Sequence, residues 1–358
     1  MKVQRETTKI SAILVAYRHP GYIEENVKKL KDKVFEIVVA ADKPNSELLK
    51  IIKKYGLKAT ISSKRRGKWK ALNDAISIAN GNYLLFIDSD TRVIDIGNLE
   101  DSEVVEMRKE ISCSSVLEKL VNIDYFNMLL SSKIASKLNS CLGLNGAVFG
   151  IKKDILLKLG KFRPYLAEDI DLGMRLGLNG YKIKISGKAI TKAPSNLREW
   201  LSQRERWSAG GSEVVLDNFA YILKKPKIWI PALILLYPAI IGFLINLLLP
   251  DSAILKIFYF ILPFIPFLSS KFLILALLTI FELHIIRNLI SILISFGVWA
   301  SVIVAISKKV KYHLQLRVLP AYYFLYSPLW MIVSIVAFVK VLIYRLRNKK
   351  VKIENWVV

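Results

Sequence analysis

Apolar residues fall along this chain in two rhythms. ISAILVAY (10–17), EIVVAA (36–41), LKATI (57–61) and YLLFI (83–87) are short runs rich in β-branched or bulky apolar residues, as buried strands require. Between them, Gly21–Lys33, Ser46–Tyr55 and Lys68–Asn80 carry apolar residues at helical spacing, with Ser46 placed to cap the second. Strands separated by helices of this length predict βαβ units and a mostly parallel sheet. The working edge of such a sheet lies at the carboxyl ends of its strands. Tyr17, Asp42 and DSD (88–90) fall there.

Beyond residue 95 the pattern loosens. NLEDSEVVEMRKE (98–110) reads as a polar helical insertion, and GLNGAVFGI (143–151) as a buried strand with glycines for close backbone approach. EDIDLGMRLGLNG (168–180) reads as a helix with acid in its first turn and a glycine stop. Ser195 is placed to cap a further helix carrying SQRERWSAGG (202–211).

After KKPK (224–227) the chain is mostly apolar, in runs at 229–249, 253–268, 272–306 and 322–344. The first is long enough for one membrane crossing. The second is broken by Pro263 and Pro266. The third would be about 52 Å long as a single helix, too long for a simple crossing, and Glu282, His284 and Arg287 interrupt it. Basic clusters at 224–227, 308–311 and 345–352 all favour the cytoplasmic side. Four full crossings cannot put all three there, so one segment is interfacial or re-entrant, or 272–306 is a hairpin. The expected organisation is an α/β domain over 1–223 and an α-helical transmembrane domain over 224–358 with about four hydrophobic segments.

Charge sharpens this division. Residues 1–228 carry 40 Lys and Arg against 26 Asp and Glu, and residues 229–358 carry 13 against 3. A basic surplus beside apolar segments points to anionic lipid heads or phosphorylated substrates rather than to nucleic acid. Cys113 and Cys141 form no CxxC pair, so neither a disulfide framework nor a zinc site is expected. MKVQRETTK leads directly into a strand, and no secretory leader is expected.

Three clusters carry chemistry. In FIDSDTRV, Asp88 and Asp90 are i and i+2 after a buried strand, so both point one way. Such a pair suits a hard divalent cation with room for phosphate oxygens; an Asx turn uses the same residues. In AEDIDLGMRL, Glu168 and Asp169 open a helix while Asp171 and Arg175 form an i, i+4 pair. One carboxylate there is free to act as a base toward a hydroxyl. KRRGKWKALNDA (64–75) joins a basic loop to a helix start, which suits a diphosphate or a solvated surface loop equally. On the later helix, Gln203, Arg206 and Trp207 share one face.

This ordered set resembles the inverting family 2 glycosyltransferases of GT-A fold. The matching residues are Tyr17, Asp42, GKWKALN (67–73), DSD (88–90), AED (167–169) and QRERW (203–207). The last is similar to the QxxRW signature of membrane polysaccharide synthases of the cellulose and hyaluronan kind. The resemblance implies that Asp42 reads the donor base, with Tyr17 lining its pocket and Lys68 on the donor side. Asp88 would touch the nucleotide and Asp90 would bind Mg2+ or Mn2+. Asp169 would be the general base. Gln203, Arg206 and Arg204 would hold the leaving diphosphate, and Trp207 would stack on the acceptor sugar. Where cellulose-type enzymes carry an aromatic-Cys-Gly acceptor motif, this chain has LGLNGAVFG, so Asn145 joins Glu168 and Trp207 on the acceptor side.

The implied partners are a nucleotide-diphosphate sugar, a UDP-sugar foremost, a glycan or lipid-linked acceptor, and the lipid bilayer, with no nucleic acid. The implied location is a multi-pass position in the cell membrane with the catalytic domain in the cytoplasm. Two activities fit: extension of a glycan, and transfer of one sugar to a polyprenyl-phosphate or glycolipid. A transporter lined by Glu282, His284 and Arg287 is the reading from another class.

Overall fold

The computed structural model describes residues 8–99, 102–138, 141, 143–226, 229–230, 233–234, 237–238 and 285–347. Its first elements alternate as the apolar runs require: β1 (Ile10–Tyr17), α1 (Ile23–Leu30), β2 (Glu36–Asp42), α2 (Ser46–Lys54), β3 (Lys58–Ser62), α3 (Lys68–Ile78) and β4 (Tyr83–Asp88). Residues 11–16 of β1 are all buried. A strand without polar alternation is one covered on both faces. β1 pairs in parallel with β2 and β4, setting Tyr17 beside Asp42 and Val15 beside Asp88. One sheet edge thus gathers Tyr17, Asp42 and Asp88. The cap of α2 lies one residue earlier than expected: the Asn45 side chain, not that of Ser46, accepts from the Leu48 amide.

The chain continues through β5 (Thr91–Asp95), β6 (Val104–Ile111), α4 (Val116–Lys137), β7 (Val148–Lys152), α5 (Lys153–Lys158), α6 (Glu168–Leu178), β8 (Ile183–Thr191), α7 (Leu197–Asp217) and α8 (Phe219–Leu223). The described strands form one eight-stranded sheet in the order β3-β2-β1-β4-β7-β6-β8-β5. It is mixed rather than mostly parallel. β7 runs antiparallel to both β4 and β6, and β5 runs antiparallel to β8. β6 and β8 pair in parallel and share the direction of β4, so the reversals are confined to β7 and β5, which the simple βαβ reading misses.

The segment expected to be a polar helical insertion is instead strand β6. Its charged residues misdirect a helix-period reading, because Glu106 and Lys109 are buried inside the fold, at 1% and 3% exposure. α4 opens with a capping box in which Ser115 and Glu118 satisfy each other's backbone amides. α7 is capped by Asn196, which accepts from the Glu199 amide, while Ser195 donates its own N–H to Glu199.

Two contacts fix α6 and α7. Gly173 and Gly177 lie one turn apart on α6, and backbone atoms of Cys141, Gly143 and Leu144 lie against them. A Cβ at Gly177 would lie 2.0 Å from the Cys141 carbonyl oxygen, and one at Gly173 would lie 2.4 Å from the Leu144 nitrogen. On α7, Arg204 is fully buried and donates through Nη2 to Asp124 of α4 at 2.7 Å. A buried guanidinium tolerates such a place only with a carboxylate beside it.

Residues 1–232 with 332–358 form one compact unit, and residues 233–331 a second. In the second, α9 (Ile285–Lys309) is followed by a helical run from Leu316 that includes a π-helical turn at Tyr322–Tyr326. Trp299 stacks on Tyr322 with ring centroids 5.6 Å apart. The run passes into α10 (Ser327–Leu346). Within the first unit, the later part of α10 packs on α7. Ser208 meets Ser334 at 3.0 Å, Ala209 clusters with Ala337 and Val341, and Glu205 and Asp217 pair with Lys340 and Arg345.

Two described helical runs, Asn288–Lys309 and Leu316–Leu346, are long and apolar enough to cross a membrane. Of the expected 272–306 segment, the part from Ile285 onward is one continuous helix. The expected crossings at 229–249 and 253–268 lie mostly or wholly outside the described residues, as do Glu282 and His284.

The Arg204–Asp124 pair gives a test of the fold. Asp124→Leu strands a buried guanidinium and is expected to destabilise the protein by about 3–5 kcal/mol. The check is denaturant unfolding of the two proteins side by side.

Candidate active site

Lys68, in the first turn of α3, binds carboxylates from two distant segments. Its Nζ lies 2.8 Å from Asp88 at the end of β4 and 3.2 Å from Glu168 at the start of α6. Burial drives Asp88 up to about 7, and Asp90 and Glu168 add to this against the pull of Lys68. Burial also raises Glu168, with Asp169 adding to it and Lys68 opposing. Burial by itself would lower Lys68, but Asp88, Glu168 and Asp169 outweigh it and hold the ammonium above the ordinary lysine range. Burial leads the rise of the two carboxylates, whereas the surrounding carboxylates account for that of the ammonium.

Asp90 follows in the turn after β4. Its Oδ1 accepts from the Thr91 hydroxyl at 3.1 Å. Among the described residues no group of three or more His, Cys, Asp or Glu side chains encloses a metal by itself. The donor set nevertheless fits Mg2+ or Mn2+, which are held by one or two carboxylates while phosphate oxygens and water complete the shell. Asp88 and Asp90 are the residues that would supply such oxygens.

Asp169 is held by backbone amides on both oxygens. Oδ2 accepts from Gly146 at 2.8 Å and Oδ1 from Ile170 at 2.8 Å. Its place in the first turn of α6 adds the favourable end of the helix dipole. The Gly146 contact depends on the missing side chain, because a Cβ there would sit 2.3 Å from Oδ2. Asn145, next to it, offers its carbonyl to Lys109 at 2.9 Å and its amide to Glu106 at 3.4 Å.

The QRERW helix divides its residues. Arg206 lies in the field of Glu168, Asp169, Asp88 and Asp90, which oppose the lowering that burial imposes on it. The Oε1 of Gln203 is buried without a protein hydrogen-bond donor. Arg204 pairs with Asp124 and so joins α7 to α4. Its guanidinium lies 4.4 Å from the centroid of Trp207, and Tyr125 meets that indole edge-on at 6.5 Å. Arg204 thereby covers one face of the indole.

Asp42 serves the loop into α3. Its carboxylate accepts from the backbone amides of Arg66 and Gly67 at 3.0–3.1 Å. Tyr17 lies beneath the guanidinium groups of Arg65 and Arg18, at 4.5 and 5.2 Å. These two residues therefore sit together at the sheet edge with the basic loop folded over them.

Sequence reasoning missed Glu106, Lys109 and Asp124. A charge inside an otherwise apolar helical run, as in Asp124 of VNIDYFNMLL, was the available signal. For β6 the signal was weaker, since VVEMRKEI alternates poorly.

The chain also matches known proteins by sequence. Residues 11–99 match Glycosyl transferase family 2, and residues 83–343 match Glycosyl transferase family group 2. Poly-beta-1,6-N-acetyl-D-glucosamine synthase of Staphylococcus aureus (strain MSSA476) is 28% identical over 259 residues, covering 66% of this chain and 62% of the relative. The synthase of the same name from Staphylococcus epidermidis is 25% identical over 240 residues, covering 61% and 58%. The chain thus spans about three fifths of the length of these curated relatives. Among solved structures, the mannosyltransferase PcManGT from Pyrobaculum calidifontis, in complex with GDP-Man and Mn2+, aligns with a TM-score of 0.49 at 15% identity, over 96% of this chain and 89% of that one.

The Gly146 contact yields an expected outcome. Gly146→Ala must push Asp169 off its amide, and a misplacement of about 1 Å at a reacting group costs up to about 100-fold in rate. Turnover is expected to fall by at least about 10-fold while the thermal unfolding midpoint moves little. Unchanged turnover would show that the carboxylate has no fixed part in the reaction.

Proposed function

Given that this chain belongs to the family 2 glycosyltransferases, we propose that it transfers a sugar, with inversion, from a nucleotide-diphosphate donor to the growing end of a glycan at the cytoplasmic face of a membrane. The donor proposed is a UDP-sugar. One observation carries this reading. Arg206 of the QRERW helix shares its electrostatic surroundings with Asp88, Asp90, Glu168 and Asp169, so the acidic clusters and the cationic helix face meet in one place. Similarity to glycan synthases over two thirds of the chain supports a glycan acceptor. The two long apolar helical runs support a membrane location.

In this reading Asp42, Tyr17 and the loop at Arg66 and Gly67 shape the base pocket. Lys68 and Asp88 line the path of the nucleotide. Asp90, with Asp88 beside it, would hold Mg2+ or Mn2+, and the bound ion would neutralise charge on the departing diphosphate. Asp169 takes the proton of the acceptor hydroxyl. The freed oxygen bonds to the anomeric carbon from the face opposite the diphosphate, and the bond from that carbon to the diphosphate oxygen breaks. Arg206 and Gln203 receive the diphosphate with a charge-assisted contact and an amide. The open face of Trp207 carries the acceptor sugar, with Glu168 and Asn145 nearby.

Incubation with radiolabelled sugar nucleotides and either a short glycan primer or a polyprenyl-phosphate tests the whole reading. A ladder of products supports glycan extension; a single addition to a polyprenyl-phosphate replaces it with lipid-linked transfer. Asp169→Asn is expected to cut turnover by at least about 100-fold with nucleotide affinity unchanged. Near-normal turnover in that variant would move the base elsewhere, to Glu168 first. Trp207→Ala is expected to shorten the products, whereas Arg206→Ala raises the donor KM. Full-length products from Trp207→Ala would remove the indole from the acceptor site.

A further inference from the structure

Two charged residues buried under the site have no part in the mechanism above. Glu106 and Lys109 are three apart on β6, a spacing that puts side chains on opposite faces of a regular strand. The register of β6 against β8 shifts between Glu106 and Arg108, and this irregularity brings both inward. There the two are 1% and 3% exposed, with the ammonium 4.0 Å from the carboxylate. Ser132 of α4 donates to Glu106. A buried pair of this kind often stabilises a fold no more than well-packed apolar residues of the same volume would.

Their shared target is a single residue. Asn145 gives its N–H to Glu106 and receives Lys109 Nζ on its carbonyl at 2.9 Å. That carbonyl and the N–H of Gly146 belong to the same trans peptide, so they point in opposite directions. The Gly146 N–H donates to Asp169 at 2.8 Å. Ammonium, peptide and carboxylate therefore stand in line. A cation on the carbonyl polarises the peptide and makes its N–H a stronger donor.

We propose that Lys109 is a positioning residue for Asp169, acting through the Asn145–Gly146 peptide, which it both fixes and polarises. The inference rests on Asp169 being the base that takes the acceptor proton. Lys109 faces Glu106 on its own strand, Asp169 on α6, Asp88 on β4 and Lys68 on α3. Burial lowers it to about 8 against the pull of those carboxylates. Asp169 in turn has Lys68, Glu168, Glu106, Lys109 and Arg206 around it.

The test uses the full chain in detergent and compares Lys109→Met, Lys109→Gln and the double variant Lys109→Met/Glu106→Gln with the native protein and Asp169→Asn. The double variant removes both buried charges and so avoids the orphaned carboxylate of the single change. It is expected to keep its unfolding midpoint and its donor KM while kcat falls about 10- to 100-fold, the usual cost of losing a supporting contact behind a functional group. Lys109→Gln, which can still donate to the carbonyl, should recover part of the lost kcat. A double variant with native kcat would show that Lys109 only balances Glu106, and a loss confined to donor KM would place it on the nucleotide side. Both results overturn the proposal. Active Asp169→Asn overturns it together with the assignment of the base, whereas inactive Asp169→Asn beside a fully active double variant overturns the Lys109 inference alone.

Discussion

Asp88 and Glu168 come from a strand end and a helix start 80 residues apart, yet they stand close enough to share the ammonium of Lys68. Two carboxylates at such separation, both partly withdrawn from water, repel each other and resist ionising. Lys68 makes their approach tolerable, and their approach is what brings α3, β4 and α6 to a common point. Much of the architecture serves this meeting. Parallel pairing of β1, β2 and β4 aligns three strand ends, and the Asp42 carboxylate ties down the loop from which α3 begins. The balance stays negative, and that leaves the place receptive to cations and to the positive end of a helix dipole.

Control of distance on the other side of the cluster comes from missing side chains. Gly173 and Gly177 leave α6 bare along one stripe, and the loop through Cys141 and Leu144 lies directly on it. Because that loop is seated on the helix backbone, Gly146 arrives where its amide can reach Asp169. The carboxylate's position is therefore set by backbone against backbone, which varies less than contacts between long side chains. Lys109 and Glu106 grip the preceding residue from below.

Much of this was legible in the sequence where one physical signal dominated. Apolar runs located β1, β2 and β4 because strands buried on both faces carry little else. The acidic first turn of α6 and the shared face of Gln203 and Arg206 follow from helical geometry. Legibility failed where tertiary contacts overrode local preference. β6 hides two charges that only a strand irregularity and distant partners can accommodate, so its composition argued for a helix. Arg204 lies between two residues of a recognisable motif, and its diversion to Asp124 depends on an ion pair across 80 positions. The caps at Asn45 and Asn196 were each misplaced by one residue, because adjacent polar residues are both competent and backbone geometry chooses between them. Antiparallel β7 was hidden for a related reason: strand direction is set by the path of the chain, not by the strand's own residues.

The packing of α10 on α7 gives the unit a particular history of assembly. Ser208 and its partner Ser334 are separated by 126 positions, and the ion pair between Glu205 and Lys340 closes a span of 135. A ribosome adding about 5–20 residues per second takes on the order of ten seconds to cover such an interval. Throughout that time the sheet, α6 and most of α7 have emerged, while the flank of α7 around Ala209 and Leu216 is still without its cover. The helix bearing QRERW therefore reaches its final surroundings only when α10 has been synthesised.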